Sequence, residues 1–181
     1  SLKRGGSSNA AAEITQQQFV LPPTLVGGIS SVRFNSNGRF LFAATSSGEI
    51  AYAQETKGTY ELRDIARLPT SEDIRSLTIL AGGQTLIAKS VEGDLSSWTM
   101  ATDSQENKQK LVNLHTFAGS VEAGNNISEI IASPRTRHFL KISNSAGSSL
   151  LELYYSTTGA KRLSWEFSGS ALRTAIFSAN G

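Results

Sequence analysis

The sequence predicts an all-β fold, and three observations carry that prediction. Small uncharged polar residues dominate it: 26 Ser, 15 Thr and 16 Gly stand among 181 residues, while charged residues make up only 18%. Ser, Thr and Gly compete with or weaken a helix and suit turns and strands. Short apolar runs alternate with tight-turn clusters along most of the chain. The same strand-and-turn phrase also recurs at a near-constant interval, and the length is ample for burying a core.

Residues 1–12, Ser-Leu-Lys-Arg-Gly-Gly-Ser-Ser-Asn-Ala-Ala-Ala, read as a flexible leader, with residues 13–181 forming the folded domain. The first phrase runs Val32-Arg33-Phe34, Asn35-Ser36-Asn37-Gly38, then Arg39 to Thr45, with Ser46-Ser47-Gly48 leading into Glu49 to Gln54. Asn-Gly is among the strongest hairpin signals, because both residues tolerate positive φ. The second phrase places Leu77 to Leu80 before Ala81-Gly82-Gly83, then 84–89, a Glu92-Gly93-Asp94 turn and 95–100. The third places 129–132 before Ser133-Pro134-Arg135-Thr136, then 137–142, a turn at 144–147 and 150–155. A fourth opens at Leu172 and runs through Ile176 and Phe177 to Gly181.

The residues that open the copies, Ile29, Ile74, Ile127 and Leu172, are 45, 53 and 45 residues apart. A period near 40–45 with about four strands per unit is the signature of a β-propeller blade. The fourth strand of each unit falls at 60–68, 110–117 and 162–167, and the longer interval is expected to carry a polar loop over 102–110. Ser71-Glu72-Asp73 suits a single helical turn. The count gives about three blades plus the start of a fourth, with a β-sandwich built from the same hairpins as the competing arrangement. Such a cut array leaves edges unpaired, which invites homodimerisation or strand exchange.

The turn Asn35-Ser36-Asn37-Gly38 is similar to the Ser-Pro-Asp-Gly turn of WD40-like propellers, and the resemblance extends in pattern over residues 29–181. The Gly-His and Trp-Asp dipeptides of true WD40 repeats are missing.

Composition excludes several chemistries. The chain has no Cys, so disulfides, thiolate nucleophiles and Cys-ligated metal centres are ruled out. The net charge is +2 with no basic block, which argues against a dedicated nucleic-acid binder. No run approaches the ~18 apolar residues of a membrane span. Ser1 opens the chain, and Lys3 and Arg4 lead into Gly, Ser and Asn rather than an apolar stretch, so it reads as a processed form or an excised piece.

No catalytic set, metal site or cofactor site is expected. His115 and His138 sit in or at strands, and no G-x-S-x-G surrounds any Ser. Asp64, Asp73, Asp94 and Asp103 form no calcium loop. Lys89-Ser90 ends a strand rather than opening a helix, so Gly82-Gly83 is not part of a phosphate loop. Asn126-Ile127-Ser128 fits the glycosylation sequon by chance. Phe34, Phe40, Phe42, Trp98, Tyr154, Tyr155, Trp165 and Phe177 are read as core or inter-blade packing, with a ligand cage as the alternative. Arg33, Arg39, Arg75, Arg135, Arg137 and Arg173 either ring one propeller face or mark solvated strand ends.

Residues 80–88, 92–98, 110–117, 153–157 and 178–181 together resemble the large extracytoplasmic domain of long-form phosphate ABC transporter permeases. Those permeases, from Gram-negative bacteria, insert a propeller-like domain after the first transmembrane helix. The resemblance implies a parent that imports inorganic phosphate at the expense of ATP. This part would be a non-enzymatic periplasmic accessory domain of an inner-membrane protein, meeting other transporter subunits or the phosphate-binding protein. No functional residue of that family carries over to a position here. The alternatives are a soluble WD40-like protein-interaction scaffold unrelated to transport, and a propeller hydrolase or lyase with an incomplete site.

Overall fold

The computed structural model describes residues 25, 27–69, 72–117, 126–169 and 171–179. The leader expected over 1–12 lies outside them. Twelve strands form three four-stranded antiparallel sheets. The first holds β1 Ile29–Phe34, β2 Phe40–Thr45, β3 Glu49–Thr56 and β4 Thr59–Arg67. The second holds β5 Ile74–Ile79, β6 Thr85–Ser90, β7 Leu95–Asp103 and β8 Lys108–Phe117. The third holds β9 Asn126–Ala132, β10 His138–Ser145, β11 Ser148–Tyr155 and β12 Ala160–Ser168.

Turn chemistry explains why each sheet is a simple meander. Asn35 closes the β1–β2 turn twice over, since its carbonyl accepts from the Gly38 N–H at 3.0 Å and its Oδ1 accepts from the Phe40 N–H at 3.0 Å. Gly83 repeats the first of these contacts with the Leu80 carbonyl at 3.0 Å. Ser133 serves the same purpose with its Oγ, which accepts from the N–H groups of Arg135 and Thr136. Between β3 and β4, Lys57 and Gly58 both have positive φ, 52° and 84°, as a two-residue hairpin matching the strand twist requires. The Glu92-Gly93-Asp94 turn forms as expected, with Gly93 at φ 95°.

Sheets stack face to face, and the apolar alternation decides how. The repeat numbering makes this legible: Phe42, Ile87 and Leu140 stand at the same place, thirteen residues after Ile29, Ile74 and Ile127. Phe42 packs in a core with Leu86, Ala88, Trp98 and Met100 between the first and second sheets. Ile87 packs with Leu95, Phe117, Ile127 and Phe139 between the second and third. The middle sheet therefore buries both faces, as adjacent Leu86 (0% exposed) and Ile87 (1%) show. The first strands of successive sheets contact one another, β1 with β5 and β5 with β9. That serial stacking of whole meanders is a propeller arrangement, not the two-layer packing of a sandwich.

Three expectations are corrected. Residues 102–110 are not a long loop, because β7 runs to Asp103 and β8 starts at Lys108, leaving a four-residue turn at 104–107. Asp103 makes the turn compact by accepting from the Gln105 and Glu106 N–H groups and pairing with Lys110 at 3.0 Å. Ser71 lies outside the described residues, and Glu72 and Asp73 are not helical. The fourth copy does not form a strand over 172–179. An opening strand gains its ladder from the second strand of its own sheet, and no such partner follows among the described residues.

Candidate interaction surfaces

The polar and charged groups buried between sheets act as struts. Tyr52 Oη donates to Gln109 Oε1 at 2.7 Å, and the Leu111 N–H donates to Asp64 Oδ2 at 2.7 Å, joining the first and second sheets. Burial holds the Tyr52 phenol above its ordinary value, so it stays a donor. Ser97 Oγ donates to the Ser156 carbonyl at 2.7 Å, and Lys89 Nζ donates to the Ile127 carbonyl, joining the second and third sheets. Burial, with Arg75 nearby, lowers the Lys89 pKa.

One charged cluster sits on the third sheet's inner face. Glu152 pairs with Lys141 at 2.6 Å and with Lys161 at 3.0 Å, and the Lys141–Glu152 pair is almost fully buried. Burial raises the Glu152 pKa, but the two lysines outweigh it and hold the carboxyl below its usual value. Tyr154 is pushed up to about 12 by burial and by the Glu152 charge. Both Glu152 oxygens face ammonium groups, so the cluster is a structural ion triad.

The two histidines lie on different sheets. His115 stands edge-on to Phe117 at 4.7 Å, and its ring lies where a Cβ on Gly159 would stand. His138 bonds through Nδ1 to Thr136 Oγ1 at 2.9 Å. Among the described residues neither is joined to a Ser in a triad-like pair. Among the described residues no group of three or more His, Asp or Glu is placed to hold a metal ion. Lys89 lies within β6, which continues to Ser90. The Asn126 side chain of the sequon lies outside the described residues.

The arginines do not form one ring. Arg33, Arg39, Arg135 and Arg137 lie at or near the β1–β2 and β9–β10 turns, whereas Arg75 and Arg173 lie at the openings of their repeats. A six-residue strand of roughly 20 Å separates those two ends. Phe40, Phe42 and Trp98 are core, and Tyr154 packs against the second cluster. Phe34 is 55% exposed and Trp165 42%, so the aromatics divide between core and surface.

Among the described residues, two open surfaces stand out. The first is a cleft of about 570 Å³ between the outer strands of the first two sheets, lined by Tyr52, Gln54, Leu62, Arg63, Lys108 and Gln109, with Asn107 at its lip. The second is the third sheet's forward face, the side turned away from the second sheet. Cross-strand pairing puts Leu151 opposite Trp165 and Leu153 opposite Leu163 on that face. Leu151, Leu153 and Trp165 border, with Leu140 and Phe167, an apolar hollow of about 360 Å³ that Ala175, Ile176 and Phe177 partly line. Sequence reading did not single out the cleft, most of whose residues are ordinary polar residues of strands. The period-2 stripe Leu163, Trp165, Phe167 on an outer strand was the available signal for the second surface.

No protein-family model matches the chain, and no curated protein matches it. Solved structures do. The β-propeller domain of Cps50 (Swd1) from Myceliophteria thermophila is similar with a TM-score of 0.59 at 12% identity, over 79% of this chain and 45% of that one. Saccharomyces cerevisiae Sqt1 gives a TM-score of 0.55 at 10% identity, over 80% of this chain and 37% of that one. The chain thus has a WD40-like β-propeller fold and spans less than half the length of these two structures.

Proposed function

We propose that this chain is a non-enzymatic protein-interaction module built on a partial β-propeller. One observation carries the reading: Tyr52 and Ser97 are tied into contacts that join sheets and Glu152 into an ion triad within its own sheet, while a mixed polar cleft opens between the first two. Such a cleft offers contact area and hydrogen-bonding groups rather than a reactive set.

Two parents fit the module. A scaffold unrelated to transport is favoured by the solved neighbours, whose resemblance is to propellers. The extracytoplasmic domain of a phosphate permease is supported by the order of hairpins over 80–98, 110–117 and 153–157. In that version the module faces the periplasm and meets the phosphate-binding protein or other transporter subunits. Among the described residues no helix is long and apolar enough to cross a membrane, so in that version the spans belong to the rest of the parent.

Membrane spans flanking this region in the parent sequence support the permease, and their absence the scaffold. Photo-crosslinkers at Asn107 and Lys108 in the intact parent are expected to trap a discrete protein. In the permease version that protein is the cognate phosphate-binding protein or a transporter subunit. Turnover by the complete propeller that disappears on His115→Ala or His138→Ala overturns the non-enzymatic reading.

A further inference from the structure

We propose that the forward face of the third sheet is the docking surface for a fourth four-stranded sheet of the same polypeptide, with residues 172–177 as its first strand. The proposal is independent of which partner the module binds.

Continuity with the two existing interfaces carries it. Phe42 and Ile87 point forward and are covered by the next sheet, whose facing residues, Leu86 and Phe139, stand twelve places into their own repeats. Leu140 occupies the same forward position in the third repeat. Beside it Leu163, Trp165 and Phe167 remain 52%, 42% and 41% exposed. An outer strand with three alternate large apolar side chains in water is an unpartnered face.

The backbone after the third sheet is already held where a next repeat begins. In the second repeat Lys89, reaching forward, donates to the carbonyl of Ile127, the residue that opens the third. In the third repeat Asn144 Nδ2 donates at 3.1 Å to the carbonyl of Leu172, which opens the fourth. Ser149 Oγ accepts from the Leu172 N–H at 2.7 Å and donates to Asn144 Oδ1 at 2.7 Å. Leu172-Arg173-Thr174 repeats Ile74-Arg75-Ser76, with Phe177 at the place of Ile79. Ala175, Ile176 and Phe177 then cross the hollow itself. On the first sheet's opposite face the middle strands are covered, with Leu41, Ala43, Ala51 and Ala53 at most 5% exposed, while Val32 and Phe34 on β1 and Leu62 on β4 stay open.

The parent polypeptide is compared with the 181-residue chain. Both carry Leu163→Cys, with Ser36→Cys at an exposed turn as the reference thiol. Relative to that reference, Leu163→Cys is expected to label at least tenfold more slowly in the parent. Wild-type hydrogen exchange gives a second measurement that needs no variant: amides 174–177 are expected to be protected in the parent and open in the shorter chain. A large apolar residue is expected twelve places after Leu172, and a charged one there overturns the proposal. Equal labelling with open amides in the parent overturns it. So does protection that appears only when a separate protein is added, or a concentration-dependent dimer of the shorter chain that hides Leu163→Cys.

Discussion

Glu152 shows how a buried charge is held in this fold. It forms ion pairs with two ammonium groups, and its partner Lys141 is almost as buried as it is. Glu152→Gln leaves Lys141 without its counter-charge, and removing one partner of a buried pair costs about 3–5 kcal/mol. Urea unfolding at pH 7 measures that loss. Because the folded carboxyl titrates below its ordinary value, its contribution is present above the unfolded pKa and fades as pH falls through the folded one. Wild-type stability should therefore fall in acid more steeply than that of Glu152→Gln. Tyr154 works in the opposite sense. Its pKa, raised to about 12, lies above that of the unfolded chain, so its contribution is intact below pH ~10 and is lost between there and about 12. Phenolate absorbance in wild type and Tyr154→Phe follows that step, which the substitution should remove.

At the scale of an element, the hairpins depend on a few backbone positions. Gly159 has φ 68°, and a Cβ there would lie 2.1 Å from the His115 ring, itself fixed against Phe117. Gly159→Ala is expected to destabilise by about 1–3 kcal/mol, read from the shift in urea midpoint. Adding His115→Ala should recover only part of the loss, because the space is freed but the positive φ remains. The sequence made the strands legible: 60–68, 110–117 and 162–167 foretold β4, β8 and β12 to within two residues at each end. It misjudged 102–110 because Thr, Asp, Ser, Gln and Lys look like a loop when their strand lies at an outer edge and faces water. The cleft was not legible for a related reason. Gln54, Arg63 and Gln109 are unremarkable in each strand and form a surface only when two sheets meet.

Across the whole molecule, burial is uneven. The middle sheet has cores on both faces, whereas the third has one face open. In a stacked array each unit is stabilised by its neighbours, so opening is expected to be easiest at the third sheet. Native-state hydrogen exchange should show β6 and β7 exchanging slowest and β11 and β12 among the fastest of the inner and outer strands. Ile87→Ala, which empties the core between the second and third sheets, should cost about 2–5 kcal/mol and speed exchange in the third sheet most. Equal protection of all three sheets would show instead that the chain unfolds as one unit. The expected unpaired edges prove less telling than an unpartnered face, since each sheet has its own full meander of four strands.

The sequence by itself determined the all-β class, the turns that open each repeat and the three repeats. Those features are local: Asn-Gly and Gly-Gly turns, period-2 alternation and a recurring interval can be read without knowing what lies across the fold. Only the tertiary structure decided which side of each strand meets which neighbour. It showed Lys89 and Tyr52 as struts and Glu152 in an ion triad within its own sheet, divided the aromatics between core and surface, and separated the arginines between opposite strand ends. Period-2 alternation names two faces but not their partners, and burial is a property of the pair of sheets that meet.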